Sequence, residues 1–399
     1  MDTELKKKHI GLYVHIPFCH TKCTYCDFNT YTGIENLIEE FTTSICNEIE
    51  FWSLDNSYIV DSIFIGGGTP SYIDISELER IIQNIKSSFS ISKSSEVTLE
   101  INPEDVTDKK AKSWKKIGIN RCSIGIQSLN DDELKIINRR HSASKAIKSI
   151  EILKNHFSNI SVDLIYGLPS QSIKTYQETL NNIIKINPSH ISAYSLQVEK
   201  GTFLNEQVSR KEVIVANDDF SAEMYKITQK FLKDNDYKNY EISNWAKENQ
   251  FSKHNLKYWK LEPYIGFGPG AHSYMENQRF SVIRSPKKYI HSIKKIYKEK
   301  KIKVKEKIKY LKENDFFDVY EEHNLKNEIL EFLMLSLRLD QGIDTTKFKS
   351  KFDLNFEDLY KKKLEKYFCK NILEKNNKFY KLTEKGKLFA NEVANNFVD

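Results

Sequence analysis

The sequence lacks any apolar run near the roughly 20 residues that a transmembrane helix needs. It also begins Met-Asp-Thr-Glu-Leu-Lys-Lys-Lys, which lacks the apolar core of a signal peptide. These two absences predict a cytoplasmic protein without a membrane span. Six cysteines, three of them crowded together, do not form the pattern of a disulfide framework. They suit a reducing compartment and a metal site.

Glycine (14) and proline (8) are few, whereas lysine, isoleucine and asparagine are abundant. Such amino-acid usage is typical of a gene with a biased nucleotide composition. The net charge of +6 is modest. The basic balance is therefore weak evidence for a nucleic-acid partner, and we expect none. A length of 399 residues suggests two or three domains.

Short β-rich runs alternate with longer helical patterns from Gly11 to about Glu199, which is typical of a parallel sheet with crossover helices. Strands are predicted over 11–16, 61–66, 96–101, 121–127, 159–166 and 190–197. Helices are predicted over 35–53, 74–89, 107–117, 131–154 and 173–186. Six such units predict an α/β fold with an open, partial (β/α)6 barrel. Its ligands should gather at the carboxyl ends of the strands.

The rest of the chain divides by composition. We predict a barrel domain over 1–200, an extension over 201–315 that opens with a helix over 217–236, and a winged-helix-like C-terminal domain over 316–399. A lysine-rich stretch over 284–312 is predicted to be the solvated face of a helix, with an anionic membrane surface or an acidic partner as the alternative.

Three cysteines, Cys19, Cys23 and Cys26, follow an apolar strand-like run that ends at Pro17. A structural zinc site would want a fourth ligand, and the next cysteine, Cys46, lies in a helical pattern where a buried thiol is expected. Three cysteines on a four-iron cluster leave one iron open for a ligand. The spacing Cys-x3-Cys-x2-Cys is the signature of radical S-adenosylmethionine (SAM) proteins, with a zinc site or a chance cluster as alternatives.

A glycine-rich segment, Gly66-Gly-Gly-Thr-Pro70, follows the second predicted strand. Three glycines let the backbone approach a ligand closely, although a tight turn would also use them. The absence of a following Gly-Lys-Ser/Thr argues against a phosphate loop.

Polar residues stand at or near the ends of three further strands, namely Glu100, Gln127 and Asp163. Polar side chains in β-runs are costly to bury unless they are hydrogen-bonded, so three at equivalent positions suggest one polar ligand. Salt bridges that close the barrel are the alternative. Arg139 is a candidate for pairing with a ligand carboxylate, and Arg140 is an equal candidate on sequence alone.

Motifs along the chain, including Tyr-Val-His-Ile-Pro-Phe-Cys, Ser-Ile-Gly-Ile-Gln-Ser and Val-Asp-Leu-Ile-Tyr-Gly-Leu-Pro, together resemble the oxygen-independent coproporphyrinogen III oxidase-like radical SAM proteins. The resemblance runs from about residue 11 to the C-terminus. It implies that a 4Fe-4S cluster is bound by Cys19, Cys23 and Cys26. It also implies that SAM is contacted by Tyr13, Tyr25, Gly67, Gly68, Thr69, Glu100, Gln127, Arg139 and Asp163.

Two departures indicate a branch of that family. The true oxidases carry a cysteine where this chain has Phe28, and they have a longer N-terminal extension than the 18 residues that precede Cys19. Both departures fit the heme chaperone branch, which is marked by a His-Asn-x-x-Tyr-Trp motif. The motif occurs here from His254 to Trp259, and the resemblance implies that His254 holds heme.

The residues of this motif fit heme in chemical terms. A neutral imidazole is a good axial ligand, and Tyr258 and Trp259 offer flat apolar surface, although a lone histidine beside aromatics is more often structural. His272 is a second candidate ligand. We expect the motif to lie on the far side of the barrel from the N-terminal strand.

The sequence thus favours a heme chaperone that uses a 4Fe-4S cluster and SAM and delivers heme to heme-accepting proteins. Peripheral membrane association and a homodimer stay open. The alternative is an enzyme that decarboxylates coproporphyrinogen III by radical chemistry. A third function, RNA modification, would want an appended RNA-binding module, which the C-terminal domain does not exclude.

Overall fold

The structure is a computed structural model that describes residues 7–53, 57–296, 303–322 and 324–398. The strands are β1 Lys8–Ile16, β2 Tyr58–Gly67, β3 Ile91–Ile101, β4 Arg121–Gln127, β5 Asn159–Tyr166, β6 His190–Ser195, β7 Lys238–Glu241, β8 Asn244–Ala246, β9 Tyr264–Phe267, β10 His272–Met275, β11 Gln278–Val282, β12 Phe317–Glu322, β13 Ile343–Asp344, β14 Leu373–Asn376 and β15 Phe379–Leu382. The α-helices are α1 Ile38–Trp52, α2 Ile75–Ser88, α3 Asp108–Ile117, α4 Asp131–Ile136, α5 Ala143–Lys154, α6 Ile173–Ile186, α7 Phe203–Ser209, α8 Asp218–Lys233, α9 Lys253–Trp259, α10 Pro286–Ile296, α11 Val304–Glu313, α12 Leu325–Arg338, α13 Thr345–Phe352, α14 Phe356–Cys369, α15 Glu384–Lys387 and α16 Ala390–Val398.

The central sheet has twelve strands in the order β12-β11-β10-β9-β1-β2-β3-β4-β5-β6-β8-β7. Strands β1 to β6 are parallel neighbours in chain order. The outer neighbour of β1 is β9 and that of β6 is β8, so the barrel is open. The predicted α/β fold with a partial barrel is confirmed. The parallel strands direct their carboxyl ends to one edge of the sheet, where ligands gather in such folds.

The helix predicted over 131–154 is two helices, α4 and α5, with a break over 137–142. The break begins where Asn138 takes the left-handed conformation (φ +57°), and Ser142 caps α5 by accepting a hydrogen bond from the Lys145 backbone. A regular helix cannot continue through a left-handed residue. The break therefore places Arg139 and Arg140 in a loop at the carboxyl edge of the sheet.

The predicted extension lengthens the same sheet at both ends. Strand β9 pairs parallel with β1, whereas β8 pairs antiparallel with β6. The edge strand β12, which the sequence prediction assigned to the C-terminal domain, pairs with β11. The predicted boundaries near residues 200 and 315 therefore do not separate independent sheets, because strands from all three predicted segments are hydrogen-bonded together.

The C-terminal part combines α12 to α16 with a small antiparallel sheet in the order β13-β15-β14. Its apolar core includes Leu333, Phe348 and Phe356, and Tyr264 and Tyr274 of the large sheet pack into the same core. This shared core joins the C-terminal part to the sheet. A winged-helix identity for it stays a prediction.

The lysine-rich stretch forms α10 and α11, and its residues 297–302 lie outside the described part of the chain. Helix α10 buries Tyr289, Ile290 and Ile293 and leaves most of its lysines exposed, as the sequence predicted. Lys307 of α11 is an exception, since it is buried and donates to the Ser53 carbonyl at 2.9 Å. Among the helices that the structure describes, none is both long and apolar enough to cross a membrane.

Candidate functional site

The three clustered cysteines lie in the loop that follows β1. The buried Phe18 fixes the start of this loop by packing edge-on against Phe41. The Cys19 backbone N–H donates to the Tyr31 carbonyl at 2.9 Å, which closes the loop on itself. All three cysteines are free thiols that line a single cavity at the carboxyl edge of the sheet.

Hydrogen-bond donors surround these sulfurs. The Thr69 hydroxyl lies 3.4 Å from Cys19 Sγ, and the Arg139 guanidinium lies 3.4 Å from Cys23 Sγ. Burial raises the pKa of Cys19 to about 11, although the Thr69 hydroxyl opposes this shift. A thiolate here therefore needs a positive partner, such as iron, to stay deprotonated.

No group of three cysteine, histidine or acidic side chains in the described residues is arranged to hold a single metal ion. A mononuclear zinc site needs its ligands around one point, whereas a cubane takes each cysteine on a different iron. The three separate thiols with donors nearby fit a 4Fe-4S cluster better than zinc.

The glycine segment packs against the cysteine loop. A Cβ on Gly68 would lie 2.7 Å from the Phe18 carbonyl oxygen and 2.9 Å from Cys19 Sγ. Gly67 has φ +112°, and a Cβ there would lie 2.7 Å from the His15 ring. The backbone of this segment packs so closely against β1 and the cysteine loop that both positions require glycine. This packing brings the Gly67-Gly68-Thr69 backbone beside the cysteines.

Two partly buried carboxyl groups lie on the inner face of the barrel. Glu100 accepts from the Gly67 N–H at 3.0 Å, while Asp163 accepts from the hydroxyls of Ser123 (2.9 Å) and Ser161 (3.1 Å). Burial and, secondarily, the Asp163 charge raise the pKa of Glu100 to about 7. Burial also raises the pKa of Asp163. Glu100 and Asp163 are two of the three polar residues predicted to face a ligand. Among the described residues, neither forms a salt bridge with a basic side chain, which argues against the alternative of salt bridges that close the barrel.

Gln127 and Arg139 complete this edge. Gln127 ends β4 in the left-handed conformation (φ +64°), and Arg139 donates to the Gly125 carbonyl at 2.5 Å and to Asn102 Oδ1 at 3.3 Å. Arg140 is exposed and lines a smaller pocket outside the main cavity. The structure therefore favours Arg139 over Arg140 as the carboxylate-binding candidate.

The main cavity has a volume of about 660 Å³. It is lined by every one of the residues predicted to bind the cluster and SAM, which are Tyr13, Cys19, Cys23, Tyr25, Cys26, Gly67, Gly68, Thr69, Glu100, Gln127, Arg139 and Asp163. The structure thus brings residues from five strands and three loops to one place. Phe28 also lines this cavity and is 63% exposed.

His254 does not line the cavity. It has no exposed surface, its Nδ1 lies 3.0 Å from Ser62 Oγ, and its Nε2 lies 2.9 Å from the Tyr258 hydroxyl. Burial, with the Lys257 charge as a lesser cause, lowers its pKa to about 3. Both ring nitrogens are hydrogen-bonded in this conformation, so heme ligation by His254, which stays a prediction, would require one of these two bonds to break.

The predicted location of the motif, on the far side of the barrel from the N-terminal strand, is wrong. The His254 ring stacks on Phe64 of β2 (5.4 Å between centroids) and on Tyr13 of β1 (6.4 Å). A Cβ on Gly11 would lie 3.1 Å from the His254 ring, so α9 packs directly on the N-terminal strand. The reason is the parallel pairing of β9 with β1, which carries the preceding helix to this side of the barrel.

The aromatic residues of the motif face different surroundings. Tyr258 lines the cavity and packs edge-on against Tyr264 at 4.6 Å, whereas Trp259 lies under the Arg338 guanidinium at 4.5 Å. Trp259 therefore contacts the C-terminal part. His272 is exposed on β10 and is absent from the cavity lining.

Sequence reasoning missed further residues of the cavity wall, namely Phe64, Arg121, Ser123, Ser192 and Tyr194. Every second residue of β4 from Arg121 to Gln127 lines the cavity. Alternate residues of a strand share one face, so the placement of Gln127 in the site also predicts that Arg121, Ser123 and Gly125 line it. That alternation was the available signal.

Comparison with known proteins places the chain in a family. A model of the Radical SAM superfamily matches residues 13–183, and a model of the HemN C-terminal domain matches residues 324–389. The heme chaperone HemW of Buchnera aphidicola subsp. Schizaphis graminum is 35% identical over 98% of both chains. The heme chaperone HemW of Bacillus subtilis is 32% identical over 97% of this chain and 98% of its own.

Among solved structures, coproporphyrinogen III oxidase (HemN) from Escherichia coli matches with a TM-score of 0.81, at 18% identity, over 98% of this chain and 90% of that one. At this identity the likeness shows a shared fold alone. The sequence relatives decide the family, because their similarity extends over nearly the whole length of both chains. The chain belongs to the HemW family of radical SAM proteins.

Proposed function

We propose that this protein is a heme chaperone that binds heme and transfers it to acceptor proteins, with a 4Fe-4S cluster and SAM as cofactors. The observation that carries this proposal is the similarity, over nearly full length, to proteins named heme chaperone HemW. We also propose that it acts in the cytoplasm. Peripheral membrane contact and a homodimer stay predictions.

The alternative, coproporphyrinogen III oxidase, has less support. It is favoured by the HemN fold, which is shared at only 18% identity. Against it stands Phe28, which occupies the cavity mouth beside Cys26 where the sequence resemblance implies a cysteine in the oxidases. Phenylalanine supplies neither a metal ligand nor a proton, so any step that used that thiol is lost here.

In this proposal the residues that line the cavity have distinct roles. A 4Fe-4S cluster with an open iron would supply a binding position for SAM and a source of one electron. Glu100 and Asp163 would accept hydrogen bonds from SAM hydroxyl or amino groups, and Arg139 would pair with its carboxylate. The Tyr25 side chain is hydrogen-bonded to Arg139 and would keep that guanidinium in place.

Heme requires flat apolar surface, which the cavity offers. Tyr13, Phe64 and Tyr258 form an aromatic wall backed by the buried His254 ring. The exposed Phe28 ring adds apolar surface at the mouth. In this proposal the His-Asn-x-x-Tyr-Trp motif shapes the wall and joins it to the C-terminal part.

Anaerobically reconstituted full-length protein is expected to bind heme in a titration followed by absorbance. With SAM, a reductant and coproporphyrinogen, the same preparation is expected to form no protoporphyrinogen, because Phe28 replaces the oxidase cysteine. A known oxidase assayed in parallel is the control for the turnover conditions. Protoporphyrinogen formation, or a failure to bind heme, would contradict the proposed function.

The affinity for SAM is expected to rise with pH up to about 7. The sulfonium of SAM is positive and prefers an ionised Glu100, whose pKa in the free cavity is about 7. Below this pKa a proton must leave before binding, which weakens the affinity by up to about tenfold for each pH unit. Calorimetry between about pH 6 and about pH 8 measures this effect.

The matched variant for this experiment is Glu100→Gln, which keeps the shape of the side chain and removes its titration. Its SAM affinity should be weaker at neutral pH and much less dependent on pH. A wild-type affinity that stays constant over the whole range would show that Glu100 does not face the SAM cation.

A further inference from the structure

Arg121 is a buried cation on the cavity wall whose side chain forms no ion pair within the described chain. Its exposed fraction is 1%, and it is among the largest fully buried side chains. No hydrogen bond or ion pair joins it to another described residue, and its Nε atom is buried without an acceptor. Arginine is rarely buried unless it is paired, because its charge loses hydration.

The position of Arg121 directs it to the inside of the barrel. It begins β4, where it is paired in register with Thr98 of β3 and Asn159 of β5. Ser123 and Gly125 share its face of the strand and also line the cavity. Gln127 ends the same strand, roughly 20 Å away at 3.3 Å per residue. Arg121 therefore lies deep in the cavity, whereas Arg139 lies at the cysteine end.

Two carboxyl groups of the cavity interact with Arg121 without forming an ion pair. Glu100 and Asp163 act on it electrostatically, but neither comes within the 4.0 Å of an ion pair. Their oxygens instead accept from the Gly67 N–H and from the hydroxyls of Ser123 and Ser161. The deep end of the cavity thus presents a guanidinium with unused donors.

We propose that Arg121 forms an ion pair with a carboxylate of a ligand that enters this cavity. A guanidinium matches a planar carboxylate with two parallel hydrogen bonds, and the two carboxyl side chains nearby disfavour a more highly charged anion such as phosphate. Two ligands of the proposed function carry this group, namely heme through its propionates and, in place of the pairing with Arg139, SAM through its methionine carboxylate. To that extent the inference rests on the proposed function.

The experiment compares ligands with and without the carboxylate on the full-length, reconstituted protein. Heme is paired with its dimethyl ester, and SAM with decarboxylated SAM. In one of the two pairs, Arg121→Gln is expected to weaken the affinity for the ligand that carries the carboxylate by about tenfold or more. The affinity for the ligand of that pair that lacks the carboxylate should stay unchanged. Arg121→Lys, which keeps the charge, should lose less affinity for the carboxylate ligand than Arg121→Gln. The pair that responds identifies the source of the carboxylate.

A stability measurement separates this role from a structural one. Ligand-free Arg121→Gln is expected to melt close to wild type, because removal of a buried charge that forms no ion pair offsets the loss of its longer-range attraction to Glu100 and Asp163. Arg80→Gln is the control for charge removal, because Arg80 is half-exposed on α2 and pairs with Glu77.

Two results would overturn the inference. One is equal weakening of both members of each pair by Arg121→Gln, which would indicate damage to the cavity. The other is unchanged affinity for every ligand together with a lower melting temperature. If wild-type protein fails to bind heme, the proposed function fails, and the SAM pair still tests Arg121.

Discussion

Replacing any one of Cys19, Cys23 and Cys26 by alanine is expected to abolish the iron–sulfur cluster. Each cysteine would hold a different iron, and no other cysteine lines the cavity to take its place. Iron and sulfide content after anaerobic reconstitution, with the broad visible absorbance of the cluster, measures the loss. This is the largest effect that we expect from any single substitution.

The matched control is Cys369→Ala, because Cys369 is exposed at the end of α14 and far from β1 in the chain. This variant should keep its full iron and sulfide content. Cys46 of α1 is a second control, since it lies outside the cavity lining. Full iron and sulfide in a variant that lacks all three clustered cysteines would refute the cluster assignment.

The substitution His254→Ala is expected to destabilise the protein by about 3 kcal/mol, because it removes two hydrogen bonds of a fully buried ring and leaves a cavity beside Phe64. The free energy of unfolding from denaturant titration is the measurement. His291→Ala is the control, because His291 is exposed on α10, and it should change stability by no more than about 0.5 kcal/mol.

Heme spectra distinguish this wall-supporting role from direct ligation. If His254 acts only through packing, His254→Ala and Tyr258→Phe should weaken heme binding without changing the position of the heme absorbance band in the folded variants. A band shift in His254→Ala alone would show that the imidazole reaches the iron. That result would require Tyr258 to move away from His254 Nε2, where its hydroxyl lies 2.9 Å away.

The sequence predicted much of the barrel because its signals are local. Strand ends at Glu100 and Gln127 could be read from β-rich runs, and parallel strands must bring their carboxyl ends to the same edge. The cysteine spacing likewise lies within a single loop. For these features, chain order and periodicity were sufficient to predict that the residues would share one cavity.

The break between α4 and α5 was harder to predict, because the helical periodicity of 131–154 continues through it. A single left-handed residue, Asn138, interrupts the helix. The structure also decides between Arg139 and Arg140, which are adjacent in sequence and chemically alike. Only the direction of the loop places Arg139 in the cavity and leaves Arg140 exposed.

By itself the sequence determined the α/β class, the cysteine site and the polar positions at the strand ends. Tertiary structure alone decided the surroundings of His254 and Arg121. His254 is buried because β9 returns to pair with β1 across a long sequence separation. Alternation along β4 places Arg121 on the same strand face as Gln127, but only the packing of distant segments leaves its Nε atom buried without an acceptor. Partners so distant in sequence leave no local pattern, since the burial of a side chain depends on which segments fold over it.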